Sequence, residues 1–533
     1  MEELLRKESV KDKKRCTAKQ DRIYFLGMLG FAVVVYFPLI SQRLVNTYDG
    51  LWHGAYYMGG FWELSIGRWL LPAVDFLRFG IQTEPINALL TLSMIALAVA
   101  MLRRLFAVND KPLTWLAGMG FVSGAVVGVW LSYRYTSPIF GLSFLLSAAA
   151  ADHATRTEHI GKAIGESAVL LALSLGLYQA NLACFCMILL AYLLRLLFRA
   201  EGKKQVHAHI AKSLGSAASG MILYWLVLKL VLLACGQQLA SYNGAAEISV
   251  KSILLGLPGG ILQAYQLFAT YFFQNIYRHN TLQTFGLFIV VLAVIGVGFL
   301  RRFAQIVRRK DLEGALLCMA AMLVLPLSCN MMMLISSEAA WRMQMGAGLA
   351  LFVPLCLLLL ADDRPEQEHD SKVRWLVLVL AVLIVYGNVY MMATDQEAMR
   401  QGRESLRVMS DRIVDDLMDL GYFDEGSQPT VMIVGRPSSN PSFLKTPLYT
   451  SANKYAQMGR FWLAPECAAL SWQGVFEQIT PVNITFCSYD QYVELLSTED
   501  IEALPLYPQK GYIQQAGDVV IVKISEDYRV LED

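Results

Sequence analysis

Residues 163–199 read AIGESAVLLALSLGLYQANLACFCMILLAYLLRLLFR. The run is apolar for 37 residues, and about 20 residues of helix cross a bilayer. It therefore makes either one long helix or two tightly joined spans. Both flanks, 153–162 and 200–212, have the character of cytoplasmic loops, so the chain must cross twice. The turn is expected near Leu177-Tyr178-Gln179-Ala180-Asn181, where polar side chains interrupt the run. This choice sets the parity of every span that follows.

Apolar runs of this kind recur. The chain has 533 residues, 55% hydrophobic and 17% charged, with a mean hydropathy of +0.43. Soluble domains are about a quarter charged, so the composition is that of a membrane protein. Spans are expected at 23–42, 86–102, 113–131, 138–152, 163–178, 180–199, 213–235, 282–300, 314–333, 345–361 and 375–393, eleven in all. The expected fold is an all-α polytopic bundle with a small C-terminal α/β domain. The N-terminal 22 residues carry eight Lys or Arg. The apolar run behind them is too long for a cleaved leader and lacks a small-residue cleavage site.

Lys and Arg collect in cytoplasmic loops. Arg103/Arg104/Lys111, Arg199/Lys203/Lys204/Lys212, Arg301/Arg302/Arg308/Arg309/Lys310 and Arg364/Lys372/Arg374 share the side of the basic tail by alternation. The interval 43–84 has only Arg43, Arg68 and Arg78. The expected organisation is a cytoplasmic tail 1–22, a transmembrane domain 23–393 with outer loops 43–84 and 236–281, and an extracytoplasmic domain 394–533. In the last, Met399, Leu406, Met409, Ile413, Leu417 and Leu420 follow helical spacing. Thr430–Val434, Ile484–Phe486 and Val519–Ile524 read as strands. A net charge of +1 gives no basic field for nucleic acid.

Phosphate-loop and dinucleotide fingerprints are absent. Asp362-Asp363 reads as a solvated loop pair, and His207/His209 as weak metal evidence. Cys184 and Cys186 read as packing residues. Cys467 and Cys487, in the C-terminal domain, could form a disulfide in an oxidising compartment.

The first outer loop is richer. Asp49 follows the first span and offers a carboxylate to take a proton from an attacking hydroxyl, or else caps the next segment. Glu63, among aromatics, is a second acid or a partner for Arg68 five residues on. Arg68, between Gly67 and Trp69, presents a fork suited to phosphate or snorkels toward headgroups. Trp69 suits an interfacial belt. Arg134, Tyr178, Gln179, Glu338, Arg342 and Gln344 fall at outer span ends, where they line one cavity or touch headgroups.

The aspartate after the first span, Gly67-Arg68-Trp69 and Ser174-Leu175-Gly176-Leu177-Tyr178-Gln179-Ala180 together resemble the GtrII-type glucosyltransferases. These membrane glycosyltransferases are similar to the wider GT-C class. The resemblance covers about residues 22–395 and leaves out the C-terminal domain. It implies a polyprenyl-phosphate-sugar donor on the outer leaflet of the cell membrane, with glucose the expected sugar. The acceptor would be a surface glycan or a lipid-linked acceptor. It also implies catalysis by an acid of the first outer loop, which maps to Asp49. This loop shows one aspartate there and not an acidic pair. That leaves Glu63 open as a second or alternative acid, and a divalent metal open as a cofactor. Two other readings remain: a transporter or flippase of lipid-linked saccharides, and a non-catalytic assembly protein.

Overall fold

The computed structural model describes residues 2–533 except 47–50, 52, 54–55, 107–110, 242–249, 275–281, 337–340, 362–370, 424–429, 444–445, 451–457, 459–464, 481 and 529–533. At 2–18, 250, 274, 282–285, 361, 371–373 and 465–470 the backbone alone is described. Asp49, Glu338 and the pair Asp362-Asp363 lie outside the described residues.

The stretch 163–199 does break in two. Helix α9 (Ile160–Leu177) and helix α10 (Leu182–Phe198) are joined by a single turn, Gln179–Asn181. The break is held by polar groups inside the bundle. Asn181 Nδ2 donates to Ser143 Oγ (2.9 Å), Ser147 Oγ donates to the Asn181 carbonyl (2.9 Å), and Ser143 Oγ donates to the Ser174 carbonyl (3.0 Å). Both serines belong to helix α8 (Ser137–Arg156), which is rich in Ser and Ala. Small and hydroxyl side chains let helices approach closely and bond to each other in an apolar medium.

Around this pair stand α1 (Glu2–Val35), α2 (Phe37–Ser41), α5 (Ile86–Phe106), α6 (Lys111–Val122), α7 (Ala125–Ser132), α11 (Lys203–Cys235), α13 (Leu282–Arg308), α14 (Leu312–Ser328), α16 (Ala347–Ala361) and α17 (Ser371–Asp419). Two short helices of the first loop, α3 (Phe61–Ser65) and α4 (Leu71–Leu77), precede α5. Among the described residues, eight helices are long and apolar enough to cross a membrane, and two more, Leu312–Ser328 and Ala347–Leu360, are apolar but shorter. The protein is a multi-pass membrane protein. Seven of the eleven expected spans coincide with long helices, and two with the shorter ones. The runs at 23–42 and 138–152 fall in α1 with α2 and in α8, which are not among the eight.

The eighth long helix corrects the expectation of a plain loop at 236–281. Residues 251–273 form an apolar helix, mostly α12 (Val250–Ala269). Pro258 and the polar Gln263, Tyr265 and Gln266 dilute its apolar signal in the sequence. The contacts of its second half gather at one end of its neighbours. Asn330 Nδ2 donates to the Ala264 carbonyl (3.2 Å). Gly260 lies against the backbone of Met333, in α15 (Met331–Ile335), and Phe268 packs on Phe352, early in α16.

At the opposite end of the bundle the basic segments meet acids. Arg103 pairs with Asp21, Arg104 Nη2 lies 3.2 Å from Asp152, and Lys203 Nζ lies 2.7 Å from Glu313. His207 also pairs with Glu313, whereas His209 Nε2 bonds the Leu189 carbonyl. The two histidines therefore do not share a site.

Helix α17 runs unbroken for 49 residues, about 74 Å at 1.5 Å per residue. It carries the last span directly into the C-terminal domain. Of the residues expected on its apolar face, Met399, Leu406, Met409, Ile413 and Leu417 are buried, while Leu420, past the helix end, is exposed. The sheet has the order β2-β1-β4-β3, from β1 (Thr430–Val434), β2 (Thr485–Phe486), β3 (Ile513–Ala516) and β4 (Val519–Lys523). β1 is parallel to both neighbours, and β3 forms an antiparallel pair with β4. Val431, Ile433, Val520 and Val522 face one apolar cluster, and Met432, Val434, Val519 and Ile521 the other. Burial on both faces explains why β1 and β4 read as continuous apolar runs. Helix α18 (Pro465–Gln478) and helix α19 (Tyr489–Thr498) cover the sheet. Cys487 carries a free thiol in the structure, and the Cys467 side chain lies outside the described residues.

Candidate active site

The first loop is closed on itself by backbone pairing. Tyr56 bridges Ile81, and the Tyr57 amide donates to the Gly80 carbonyl (2.9 Å). Inside this closure two carboxylates are buried. Glu63 Oε2 accepts the Gly60 amide (2.7 Å), the back-bond of a glutamate in the first turn of a helix. Its Oε1 accepts the Tyr57 hydroxyl. Asp75 Oδ2 accepts the Gly59 amide (3.0 Å), and its Oδ1 pairs with Arg78 Nη2 (2.7 Å). Burial pushes the Asp75 carboxyl up from its usual range, and Arg78 opposes the shift. Burial and the bond to Glu63 push the Tyr57 hydroxyl far up, so it remains a proton donor. Glu63 is thus not the ion-pair partner of Arg68. Only its backbone carbonyl meets that residue, accepting the Arg68 amide (2.8 Å).

The segment Gly67-Arg68-Trp69 is locked against the α9–α10 turn and against α11. The Leu70 amide donates to the Gly176 carbonyl (2.9 Å), Gln179 Nε2 to the Ile66 carbonyl (2.8 Å), and the Tyr224 hydroxyl to the Gly67 carbonyl (3.0 Å). Trp69 lies over Gly176. Gly67 has φ +86°, and a Cβ there would stand 2.6 Å from the Tyr224 oxygen and 2.7 Å from Gln179 Nε2. Only glycine fits both the backbone and the space. The two sequence motifs, one before α5 and one at the end of α9, are therefore a single structural unit. The Arg68 guanidinium lies over the Tyr178 ring, 5.2 Å from its centroid. Among the described residues Arg68 has no carboxylate partner, and its Nε is buried without an acceptor. Trp69 Nε1 is likewise buried without one.

The earlier half of the loop is held from a different direction. The Asn46 amide donates to the Ser132 carbonyl (2.9 Å), and Asn46 Nδ2 to the Met458 carbonyl (2.6 Å). Leu51 is fully buried. The His53 ring packs at a tilt against Tyr57 (3.9 Å between centroids) and Tyr135 (4.2 Å). Burial draws its pKa down to about 4, so it is neutral at physiological pH. Gln478, the last residue of α18, donates from Nε2 to the His53 carbonyl (3.0 Å) and accepts at Oε1 from Arg134.

Arg134 is held inside the fold. It is 6% exposed, donates to the Arg43 carbonyl (3.3 Å), and lies in the field of Glu84. Glu84 is itself buried, and burial raises its carboxyl to about 7 despite Arg134 and Arg43. Arg342 is exposed. The backbone carbonyl of Gln344 accepts the Trp130 indole N–H (2.8 Å). Sequence reasoning passed over Asp75, Glu84, His53, Tyr57, Tyr224 and Gln478. Only the buried acids left any signal, as carboxylates inside an aromatic loop. Among the described residues no group of three or more His, Cys, Asp or Glu could hold a metal ion.

A half-buried arginine with an unfilled edge, set in a loop with buried acids and closed by aromatics, has the chemistry to accept an anionic group. The chain is 27% identical over 263 residues to an uncharacterized 55.3 kDa protein in the gtrB 5' region of Salmonella phage P22. The match covers 47% of this chain and 51% of that relative, so the chain spans about half the relative's length. No solved structure matches. The family model described as Glucosyl transferase GtrII matches residues 54–353, more than half of the chain and inclusive of both motifs that form the Arg68 unit, and the chain belongs to that family.

Proposed function

We propose that this protein transfers a hexosyl group, glucose in the first instance, from a polyprenyl-phosphate donor to a cell-surface glycan or lipid-linked acceptor. Transfer takes place on the outer face of the cytoplasmic membrane, in a fold of the GT-C type. The N-terminal tail (1–22) is cytoplasmic, residues 23–393 form the membrane domain, and residues 394–533 lie outside. This orientation is supported by the gathering of Lys and Arg at the bundle end opposite the first loop.

The observation that carries the reading is Arg68: a cation fixed by two motifs of the family, with a buried Nε that no acceptor of the described chain fills. A phosphate oxygen supplies such an acceptor. In the reaction the acceptor hydroxyl oxygen bonds to the anomeric carbon as the bond from that carbon to phosphate oxygen breaks. Polyprenyl phosphate leaves with the electron pair, and Asp49 takes the hydroxyl proton. Arg68, with Arg342, stabilises the charge that grows on the leaving phosphate. Trp69, Tyr178, Gln179, Arg134 and Glu338 shape or support the same cavity. The held geometry of Glu63 favours a structural part for it.

The test is sugar transfer in vesicles supplied with polyprenyl-phosphate-glucose and a lipid-linked acceptor. Asp49→Asn is expected to lower kcat by about 10²–10⁴-fold. Retained turnover in Asp49→Asn with loss in Glu63→Gln would move the base to Glu63. Donor translocation without transfer would replace the enzyme by a flippase.

A further inference from the structure

The family match ends at residue 353, yet the first loop packs on residues far beyond it. Val45 and Leu51, on either side of 47–50, are buried in the apolar cluster of the C-terminal domain, with Leu406, Val431, Trp472, Val475 and Phe476. At Gly474 a Cβ would collide with the Leu51 carbonyl oxygen, so the helix backbone itself rests on the loop. The Met458 amide donates to Asp395 Oδ2 (2.9 Å) on α17, and its carbonyl takes Asn46 Nδ2 (2.6 Å). Gln478 closes the contact. One amide group uses its N–H on the His53 carbonyl (3.0 Å) and its oxygen on Arg134.

We infer that helix α18 is a working part of the active site: it holds Leu51 and His53 of the first loop in catalytic register, with Gln478 as the positioning residue. The claim rests on the transfer reading above. Gln478 touches no reacting atom. It acts through the His53 backbone and through Arg134, which also donates to the Arg43 carbonyl at the start of the loop. Misplacement by about 1 Å is enough to cost on the order of 10²-fold in rate.

The experiment uses the full chain in detergent or vesicles and compares wild type, Gln478→Ala, Gln478→Glu and Gly474→Val. Gln478→Ala is expected to lower kcat by about 10–100-fold with little change in KM for the donor. Gln478→Glu keeps an acceptor for Arg134 but has no N–H for His53, so partial rescue identifies the Arg134 bond as the one that matters. Hydrogen exchange is measured on the same samples. Amides of 51–60 should exchange faster in Gln478→Ala and Gly474→Val, while those of 66–71 stay as in wild type. If wild type transfers sugar and Gln478→Ala keeps its kcat, the inference is overturned, and the transfer reading stands. If wild type transfers nothing, that reading falls, and unchanged exchange at 51–60 would separately remove the positioning claim.

Discussion

The first loop has two halves held by different means. Residues 66–70 are held against the bundle: beyond the loop's own backbone bonds, Gly176, Gln179 and Tyr224 bond to them, all within the family-matched region. Val45, Asn46, Leu51 and His53 meet the C-terminal domain through its apolar cluster, Met458 and Gln478, while Asn46 also meets Ser132 and the His53 ring meets Tyr57 and Tyr135. The first hold is made of backbone carbonyls and a glycine. It fixes a cation and leaves one of its edges empty. The second is a mixture of apolar burial and one bridging amide. A cation proposed to meet a charged leaving group benefits from a rigid seat, and the bundle gives Arg68 one. The other half sits where two domains meet, and its geometry depends on whether they stay joined.

The largest expected effect comes from breaking the first hold. Gly67→Val places a branched side chain at φ +86° and into the Tyr224 oxygen and Gln179 Nε2. Left-handed backbone costs about 1–2 kcal/mol, and overpacking about 1–3 kcal/mol. Thermal unfolding in detergent should show a stability loss on the order of 2–5 kcal/mol, with transfer abolished. A Gly67→Val protein as stable as wild type would mean that the bundle does not hold this segment by the contacts described.

A smaller effect sharpens the same contrast inside the closure that joins the two halves. Tyr57→Phe removes the hydroxyl that donates to Glu63 Oε1, leaving a buried carboxylate oxygen short of a donor. An unsatisfied buried polar group costs about 1–3 kcal/mol. Denaturant titration should show that loss while KM for the donor stays within a few-fold of wild type. A large loss of kcat in Tyr57→Phe at unchanged stability would instead place Glu63 in the chemistry.

Sequence reasoning reached the first hold and missed the second, for a physical reason. Tyr178, Gln179 and Asn181 stand out because polar residues inside an apolar run of 37 must be satisfied by something. Arg68 stands out because a cation at a span end must face either headgroups or a ligand. Their mutual contact was not written in either segment, but both lie beside spans whose alternation put them at one end. Gln478 carries no such mark. It is one of many polar residues in a polar domain, and its partners are 344 and 425 positions away. Helix α12 was passed over because Pro258 and spaced polar residues lower its apolar signal, although its length suffices. The edge strand β3 was missed for a similar reason. Gln514 and Gln515 carry little strand preference, and the strand exists through its pairing with β4.

The predicted effect that depends most on pH lies at the base of the second hold. Glu84 is 5% exposed, its Oε2 accepts the Ala88 amide (3.0 Å), and its Oε1 has no partner among the described residues. Burial lifts its carboxyl from 4.5 to about 7 even though Arg134 and Arg43 favour the anion. The folded protein therefore keeps a proton that the unfolded chain has already released. Where the native state binds more protons than the unfolded state, stability falls as pH rises, here from about 4.5 through about 7. Glu84→Gln has the same shape and no charge to acquire. Its thermal midpoint should match wild type below about pH 4, exceed it increasingly up to about pH 7, and hold that excess toward pH 8. A difference that stays constant across that range would mean Glu84 is ionised throughout and paired with Arg134. In that case the arginine that Gln478 grips would be held by a salt bridge of the first loop, and the C-terminal domain would add less to its position than its contacts imply.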